Sequence, residues 1–192
     1  PDIGTDLAEW PLEQTVKVLC FYHPDDEPAL KAQQEEVVVR LADAARSNDL
    51  DFLLEVSPSK CGPVCEETTA QVMQRFYDIG VRPDWWKLEP TSSDGAWKAI
   101  CETIEANDPW CRGILVLGLD APQDELAASF AVAARYKQVK GFAVGRTIFA
   151  DTARNWFRGK IDDDAAVAQM AGRYGALCQL WDAARQEIEE AV

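Results

Sequence analysis

Three ionisable residues lie inside runs of apolar residues, where a charged side chain is costly to bury. They are Lys87 in DWWKLE, Lys17 in VKVLCFY and Glu55 in DFLLEV. Removal from water disfavours the ammonium form of a lysine and yields a neutral amine, which can attack a ketone to form a Schiff base. Two lysines and a glutamate therefore provide a nucleophile, an electrostatic partner and a proton-transfer group for cleaving a carbon–carbon bond.

Two structural interpretations of Lys87 compete with this chemistry. Its aliphatic stem can pack among the tryptophans while the ammonium group reaches solvent. Alternatively, it can pair with a core carboxylate such as Glu89, which lies two residues along and so on the same face of a strand. For any one strand lysine these interpretations are favoured, but the triplet of Lys87, Lys17 and Glu55 is more specific than any of its members.

A second pattern predicts an anion site. The segment VKGFAVGRTIF (139 to 149) predicts a strand that ends in Gly145-Arg146-Thr147, and Gly118 ends the preceding predicted strand. Glycine lets backbone N–H groups approach an anion, and arginine binds phosphate with two donors. In barrels of alternating strands and helices, phosphate sites commonly lie on the loops after the last two strands. Taken alone, the segment favours a turn glycine beside a surface arginine. Together with a lysine two strands earlier, the two interpretations are equally supported.

Histidine and cysteine give weaker signals. His23, the only histidine, follows the first predicted strand in FYHPDDEP, and we expect a loop or cap residue that lines the mouth of the site. The CGPVC segment (61 to 65) has no second cysteine pair to complete a zinc site. We therefore predict no metal and no cofactor, and reduced thiols in place of a disulfide framework.

The elements that must position these residues alternate regularly along the chain. Five short apolar runs are each followed by a segment of helical periodicity, and the runs are VKVLCFY, DFLLEV, DWWKLE, GILVLGL and GFAVG. Strands that are apolar on both faces and joined by helices predict an α/β fold with a parallel sheet. A GxGxxG fingerprint is absent, and polar residues recur at strand ends, which favours the (β/α)8 TIM-barrel type. The sequence predicts a single domain over 1 to 192 with only the C-terminal five strand–helix units of such a barrel.

Composition limits the partners. Thirty-three acidic and nineteen basic residues among 192 give a formal net charge of −14, which disfavours binding to nucleic acid or to an anionic membrane surface. No apolar run approaches the ~20 residues that a transmembrane helix needs. The N-terminal residues lack the pattern of a secretory signal, so we expect a cytoplasmic protein.

Five blocks carry a resemblance to a known group: VKVLCFYHPDD, DFLLEV, RPDWWKLEP, GILVLGLDAP and VKGFAVGRTIF. In this order they resemble the C-terminal domain fused to 5-dehydro-2-deoxygluconokinase in bacterial inositol catabolism. More distantly, they are similar to class I tagatose-bisphosphate aldolases, which are (β/α)8 barrels. The resemblance implies that Lys87 is the Schiff-base lysine, that Lys17 and Glu55 accompany it, and that Gly145 and Arg146 bind substrate phosphate.

The activity implied by this resemblance is that of a metal-independent class I aldolase. The implied substrate is 5-dehydro-2-deoxy-6-phosphogluconate, cleaved to dihydroxyacetone phosphate and malonate semialdehyde. Alternatives are a tagatose or fructose bisphosphate substrate, a non-catalytic sugar-phosphate-binding regulatory domain, and a half-barrel that completes a partner. The first three barrel strands of the family have no counterpart here, so we expect a homo-oligomer or association with the missing segment.

Overall fold

The computed structural model describes residues 2–118 and 123–189 as an alternation of strands and helices. The strands are β1 (Thr15–Cys20), β2 (Asp51–Val56), β3 (Trp85–Leu88), β4 (Gly113–Leu117) and β5 (Val139–Ala143). The helices are α1 (Ile3–Leu7), α2 (Pro28–Ser47), α3 (Thr68–Asp78), α4 (Asp94–Asn107), α5 (Gln123–Ala133), α6 (Arg146–Phe157) and α7 (Asp163–Glu189), with a 3-10 turn at Pro58–Lys60. The predicted α/β class is confirmed.

The strands form one five-stranded sheet in the order of the sequence, β1-β2-β3-β4-β5. β1 pairs with β2, and β2 with β3, in parallel. Parallel neighbours need a long crossover, and α2 and α3 supply these two crossovers. The prediction of five strand–helix units is therefore confirmed in the described residues.

Contacts between residues group the chain into two compact units. The first comprises Pro1–Leu88 and Gly95–Leu115, and the second comprises Glu89–Asp94 and Val116–Val192. None of the helices described is long and apolar enough to cross a membrane.

The core of the first unit is built by one face of each strand. Side chains alternate across a strand, so Phe52 and Leu54 of β2 point to the same side as Trp86 of β3, and all three are buried. Phe76 of α3 and Trp97 of α4 are fully buried in the same unit. Burial of each such side chain contributes about 1.5–3 kcal/mol, which makes this layer the main stabilising feature of the unit.

The opposite strand face is only partly covered, contrary to the expectation of strands buried on both sides. On β1 and just beyond it, Leu19 is 40% exposed and Phe21 is 48% exposed. Lys17 lies on the same face, because it shares their odd position in the strand alternation. The face that carries the ionisable residues therefore differs from the face that carries the core.

The second unit has an aromatic core between β5 and the helices. Phe130 of α5 stacks on Phe142 of β5 with ring centroids 5.1 Å apart, and Trp181 of α7 meets the Phe130 ring edge-on at 5.5 Å. Asp162 accepts a hydrogen bond from the Ala165 N–H at 2.8 Å and caps α7. The sequence predicts this helix start from the run Asp162-Asp163-Asp164, because acids are favourable at the positive end of a helix. It predicts another helix start at Pro122, which lies outside the described residues.

Two predictions from the sequence are wrong in detail. The last strand was expected to run to Thr147, but β5 ends at Ala143 and Arg146 begins α6. The sequence also predicts packing for Trp110, since tryptophan is a large apolar residue, but Trp110 is 86% exposed on the loop between α4 and β4. In both places a short apolar run is interrupted by loop residues, so periodicity gives little information about the boundary.

We expect Leu54→Ala to lower the free energy of unfolding by about 2–5 kcal/mol, because truncation leaves a cavity in the fully buried face of β2. Urea unfolding followed by circular dichroism measures this loss. Leu12→Ala is the matched control, since Leu12 is 69% exposed and its truncation should change stability by less than about 0.5 kcal/mol. Equal losses in the two variants would contradict this description of the core.

Candidate functional site

Strand register brings the predicted triplet together. Glu55 is the direct partner of Lys87 across the β2–β3 pair, and of Leu19 across the β1–β2 pair. Lys17 lies two residues before Leu19, on the same face, and so reaches Glu55 diagonally. Three segments that are far apart in sequence thus place two amines around one carboxylate.

Both lysines contact the same oxygen atom of that carboxylate. Lys87 Nζ donates a hydrogen bond to Glu55 Oε2 at 3.2 Å, and Lys17 Nζ lies 2.5 Å from Oε2. The side chain of Glu55 is 10% exposed, that of Lys87 18% and that of Lys17 44%. The central carboxylate and Lys87 are therefore largely removed from water, while Lys17 faces the open side.

This arrangement carries more positive than negative charge. One carboxylate compensates one ammonium group, and burial makes an uncompensated charge costly. Lys87 is the less hydrated of the two amines, since Lys17 keeps its contact with water. The geometry places an amine within hydrogen-bond distance of a carboxylate that can transfer protons, and these are the groups that Schiff-base formation needs.

One of the two structural interpretations of Lys87 describes part of its position, because Lys87 pairs with a core carboxylate. Its side chain is mostly buried, so the ammonium group does not reach freely into solvent. The core carboxylate is Glu55, and Glu89 lies half-buried immediately after β3 ends at Leu88. The sequence spacing suggested Glu89 because that residue is near in the chain.

His23 lies in the loop after β1 and is 5% exposed. Its Nδ1 accepts a hydrogen bond from the Asp25 N–H at 3.2 Å, so Nε2 carries the proton and donates to the Pro63 carbonyl at 3.0 Å. A methyl group on Gly62 would lie 3.2 Å from the ring. These contacts make His23 a loop residue that holds the segment after β2, as one reading of its sequence context predicted.

The predicted phosphate-binding residues lie in the second unit. A methyl group on Gly118 would lie 2.7 Å from Val144 Cγ1 and 3.3 Å from Thr147 Oγ1, so a side chain there would require Val144 to move. Gly145 is the N-cap of α6, and Arg146 is its first residue. Gly118 therefore lies beside the start of α6, where helix N–H groups can bind an anion.

Thr147 is a residue of this second site that the sequence analysis did not single out. Its Oγ1 is buried and has no hydrogen-bond partner among the described residues. A buried hydroxyl group without a partner is costly, and an anion oxygen beside Gly118 would accept its hydrogen bond. A hydroxyl residue after Gly-Arg was the only signal in the sequence that could have identified it.

Neither the Cys20 thiol nor a cluster of metal-ligating side chains contributes to the described part of either site. Cys20 belongs to β1 but faces the helix side, where Sγ lies 3.0 Å from the Gln34 amide oxygen. Burial raises the pKa of the Cys20 thiol to about 12, which makes it a poor nucleophile. Within residues 2–118 and 123–189, no group of three or more His, Cys, Asp or Glu side chains could hold a metal ion.

The fold is an α/β fold that resembles the TIM-barrel-like fold of the aldolases. Fructose-bisphosphate aldolase from Plasmodium falciparum, solved in complex with TRAP and a small-molecule inhibitor, is similar with a TM-score of 0.55 and 15% sequence identity. The similarity covers 89% of this chain and 55% of that chain, and at this identity it shows the fold alone.

Residues 1–185 match the family of uncharacterized proteins conserved in bacteria, DUF2090, and the chain belongs to this family. Among curated proteins, none matches the sequence.

Replacing Glu55 tests the shared carboxylate. We expect Glu55→Gln to lower the free energy of unfolding at pH 7 by about 1–3 kcal/mol, since both amines lose their charged partner. Adding Lys17→Met should restore part of this loss by removing the repulsion, and urea unfolding of the single and double variants measures the coupling. Asp43→Asn is the control, because the Asp43–Arg46 pair is exposed on both sides and contributes little. Additive effects of Glu55→Gln and Lys17→Met would show that the two residues are uncoupled.

Proposed function

We propose that this protein is a class I, metal-independent aldolase that cleaves a keto-sugar phosphate through a Schiff base on Lys87. The observation that carries the proposal is the contact of Lys87 and Lys17 with one oxygen of a buried glutamate. The aldolase-like fold supports the reaction class. The blocks that resemble the domain fused to 5-dehydro-2-deoxygluconokinase support 5-dehydro-2-deoxy-6-phosphogluconate as the substrate and inositol catabolism as the setting.

Lys87 supplies the nucleophile in this proposal. Its neutral amine adds to the C5 ketone, and loss of water gives an iminium ion. Glu55 is within hydrogen-bond distance of Lys87 and assists the proton transfers of the dehydration. Lys17 contacts the same carboxylate oxygen and places a second amine beside the reacting groups.

Bond cleavage then needs a base and an electron acceptor. Glu55, directly or through water, takes the proton of the C3 hydroxyl group, and C3 becomes the aldehyde carbon of malonate semialdehyde. The electron pair of the C3–C4 bond passes into the iminium group and gives an enamine. Protonation at C4 and hydrolysis of the resulting iminium ion release dihydroxyacetone phosphate and restore Lys87.

Phosphate binding is proposed for residues of the second unit. Arg146, the N–H groups at Gly145 and the start of α6, and the backbone of Gly118 would hold the phosphate group. The buried Thr147 hydroxyl group adds a further donor. We expect Arg146→Gln to raise the KM for substrate more than it lowers kcat, since the phosphate is bound in the ground state and in the transition state alike.

The exposed apolar side chains on the face that carries Lys17 support the expectation of a partner. Leu19 and Phe21 are 40% and 48% exposed there, next to an open strand edge at β1. Open edges with apolar neighbours are normally covered in functional proteins. We propose that further polypeptide, from another segment or another copy, covers this face in the active assembly.

Borohydride trapping tests the proposed function. The protein is incubated with dihydroxyacetone phosphate and sodium borohydride, and intact mass and peptide mapping locate the reduced adduct. We expect one adduct on the peptide that contains Lys87, and none in Lys87→Met, because methionine keeps the stem but has no amine. Lys98→Met is the matched control, since Lys98 is an exposed lysine on α4.

A folded wild-type protein that forms no adduct would contradict the aldolase proposal and favour a non-catalytic sugar-phosphate-binding domain. An adduct that persists in Lys87→Met would assign the chemistry to another lysine. Cleavage assays with 5-dehydro-2-deoxy-6-phosphogluconate, tagatose bisphosphate and fructose bisphosphate then separate the substrates by kcat/KM.

A further inference from the structure

A second cluster of charged side chains lies in the first unit, between α2 and α3. Arg75 donates two hydrogen bonds to the Glu35 carboxylate, from Nε at 2.9 Å and from Nη2 at 2.7 Å. Tyr22, which is 2% exposed, donates its hydroxyl proton to the same carboxylate at 2.5 Å. Glu35 therefore fixes three elements to each other: the end of β1, α2 and α3.

Both oxygens of the Glu35 carboxylate accept hydrogen bonds in this network. The hydrogen bonds from the Arg75 guanidinium group lower the pKa of Glu35, so the carboxylate is ionised at neutral pH. Burial raises the pKa of Tyr22, which keeps its phenol a neutral donor. Arg75 and Glu35 form a bidentate ion pair, and this pair has no net charge.

A groove of about 420 Å³ opens beside the network. Its size falls in the range of small-molecule sites, which are roughly 300–1,000 Å³. Apolar side chains and several polar or charged groups line the groove. The lining residues are Tyr22, Pro24, Pro28, Lys31, Ala32, Glu35, Gln71 and Arg75.

The lining of the groove has a net charge of +1, because Lys31 adds a positive charge to the neutral Arg75–Glu35 pair. This positive charge occurs on a protein whose formal net charge is −14. Lys31 Nζ donates one hydrogen bond, to the Pro24 carbonyl at 2.6 Å, and so keeps further donors. Arg75 directs Nε and Nη2 to Glu35, and its side chain is still 49% exposed.

We propose that this groove binds a small organic anion through a carboxylate or phosphate group. Lys31 and the second amino group of Arg75 would hold the anionic group, with the Gln71 amide as a further donor. Pro24 and Pro28 would contact the body of the ligand. The ion pair with Glu35 holds the guanidinium group in a fixed orientation before the ligand arrives, which lowers the entropic cost of binding.

This site is independent of the aldolase proposal, since it shares no residue with Lys87, Glu55 or Arg146. Lys31 also donates a hydrogen bond to the carbonyl of Pro24, which directly follows His23 in the loop after β1. The amine that would hold the ligand is therefore already fixed to this loop.

Isothermal titration calorimetry tests the proposal with inorganic phosphate and with malonate, each at low ionic strength and pH 7. The Arg146→Gln variant serves as the parent protein, so that the other candidate anion site does not contribute. We expect saturable binding of at least one probe, weakened at least tenfold by Lys31→Gln and retained by Lys31→Arg, which keeps the charge. Lys98→Gln is the control and should bind as the parent does.

Nuclear magnetic resonance locates the binding. On titration, the side-chain NH2 resonances of Gln71 should shift in the parent and remain unchanged in Lys31→Gln. Binding of phosphate alone indicates a phosphate ester as the natural ligand, and binding of malonate alone indicates a carboxylate. Absence of saturable binding for both probes, or equal affinity in the parent and in Lys31→Gln, would overturn the proposal.

Discussion

The proposed chemistry of this protein depends on one carboxylate oxygen. Oε2 of Glu55 contacts two amines, and a single negative charge compensates only one of them. The consequence depends on burial: in water, two ammonium groups near one carboxylate would cost little, but Glu55 and Lys87 are largely removed from water. The fold must therefore hold the three side chains in place against their own repulsion, and the buried opposite face of the same strands does this.

One face of the strands forms the core, and the opposite face carries the ionisable residues. Leu54 and Trp86 anchor β2 and β3 to the helices, while their neighbours Glu55 and Lys87 point to the other side. A shift in register by one residue would exchange the two sets and bury the charges among the helices. The cost of that exchange fixes the register, so the stability of the core and the geometry of the site depend on the same pairing.

All the proposed binding groups provide positive charge on a protein whose net charge is negative. The lysine pair, Arg146 at the start of α6 and Lys31 beside Arg75 each place a positive charge where an anionic group can approach. The formal net charge of −14 repels anions in general, so we expect anions to bind only where positive side chains lie close together. The aldolase-like fold, shared with the Plasmodium falciparum enzyme at 15% identity, supplies the frame and leaves these local features to the individual sequence.

The sequence alone determined the alternation of five strands with helices, the start of α7 at the aspartates, and the identity of the three residues that form the lysine site. These follow from periodicity, helix capping and the cost of a charge inside an apolar run, which are local properties. Only the tertiary structure decided that Glu55, 32 residues away, contacts Lys87. It also decided that Lys17 stays half-exposed and that the Glu35–Arg75 pair borders a groove. Pairing between strands and packing between helices bring together residues that are far apart in sequence, and no local pattern records which of them will meet.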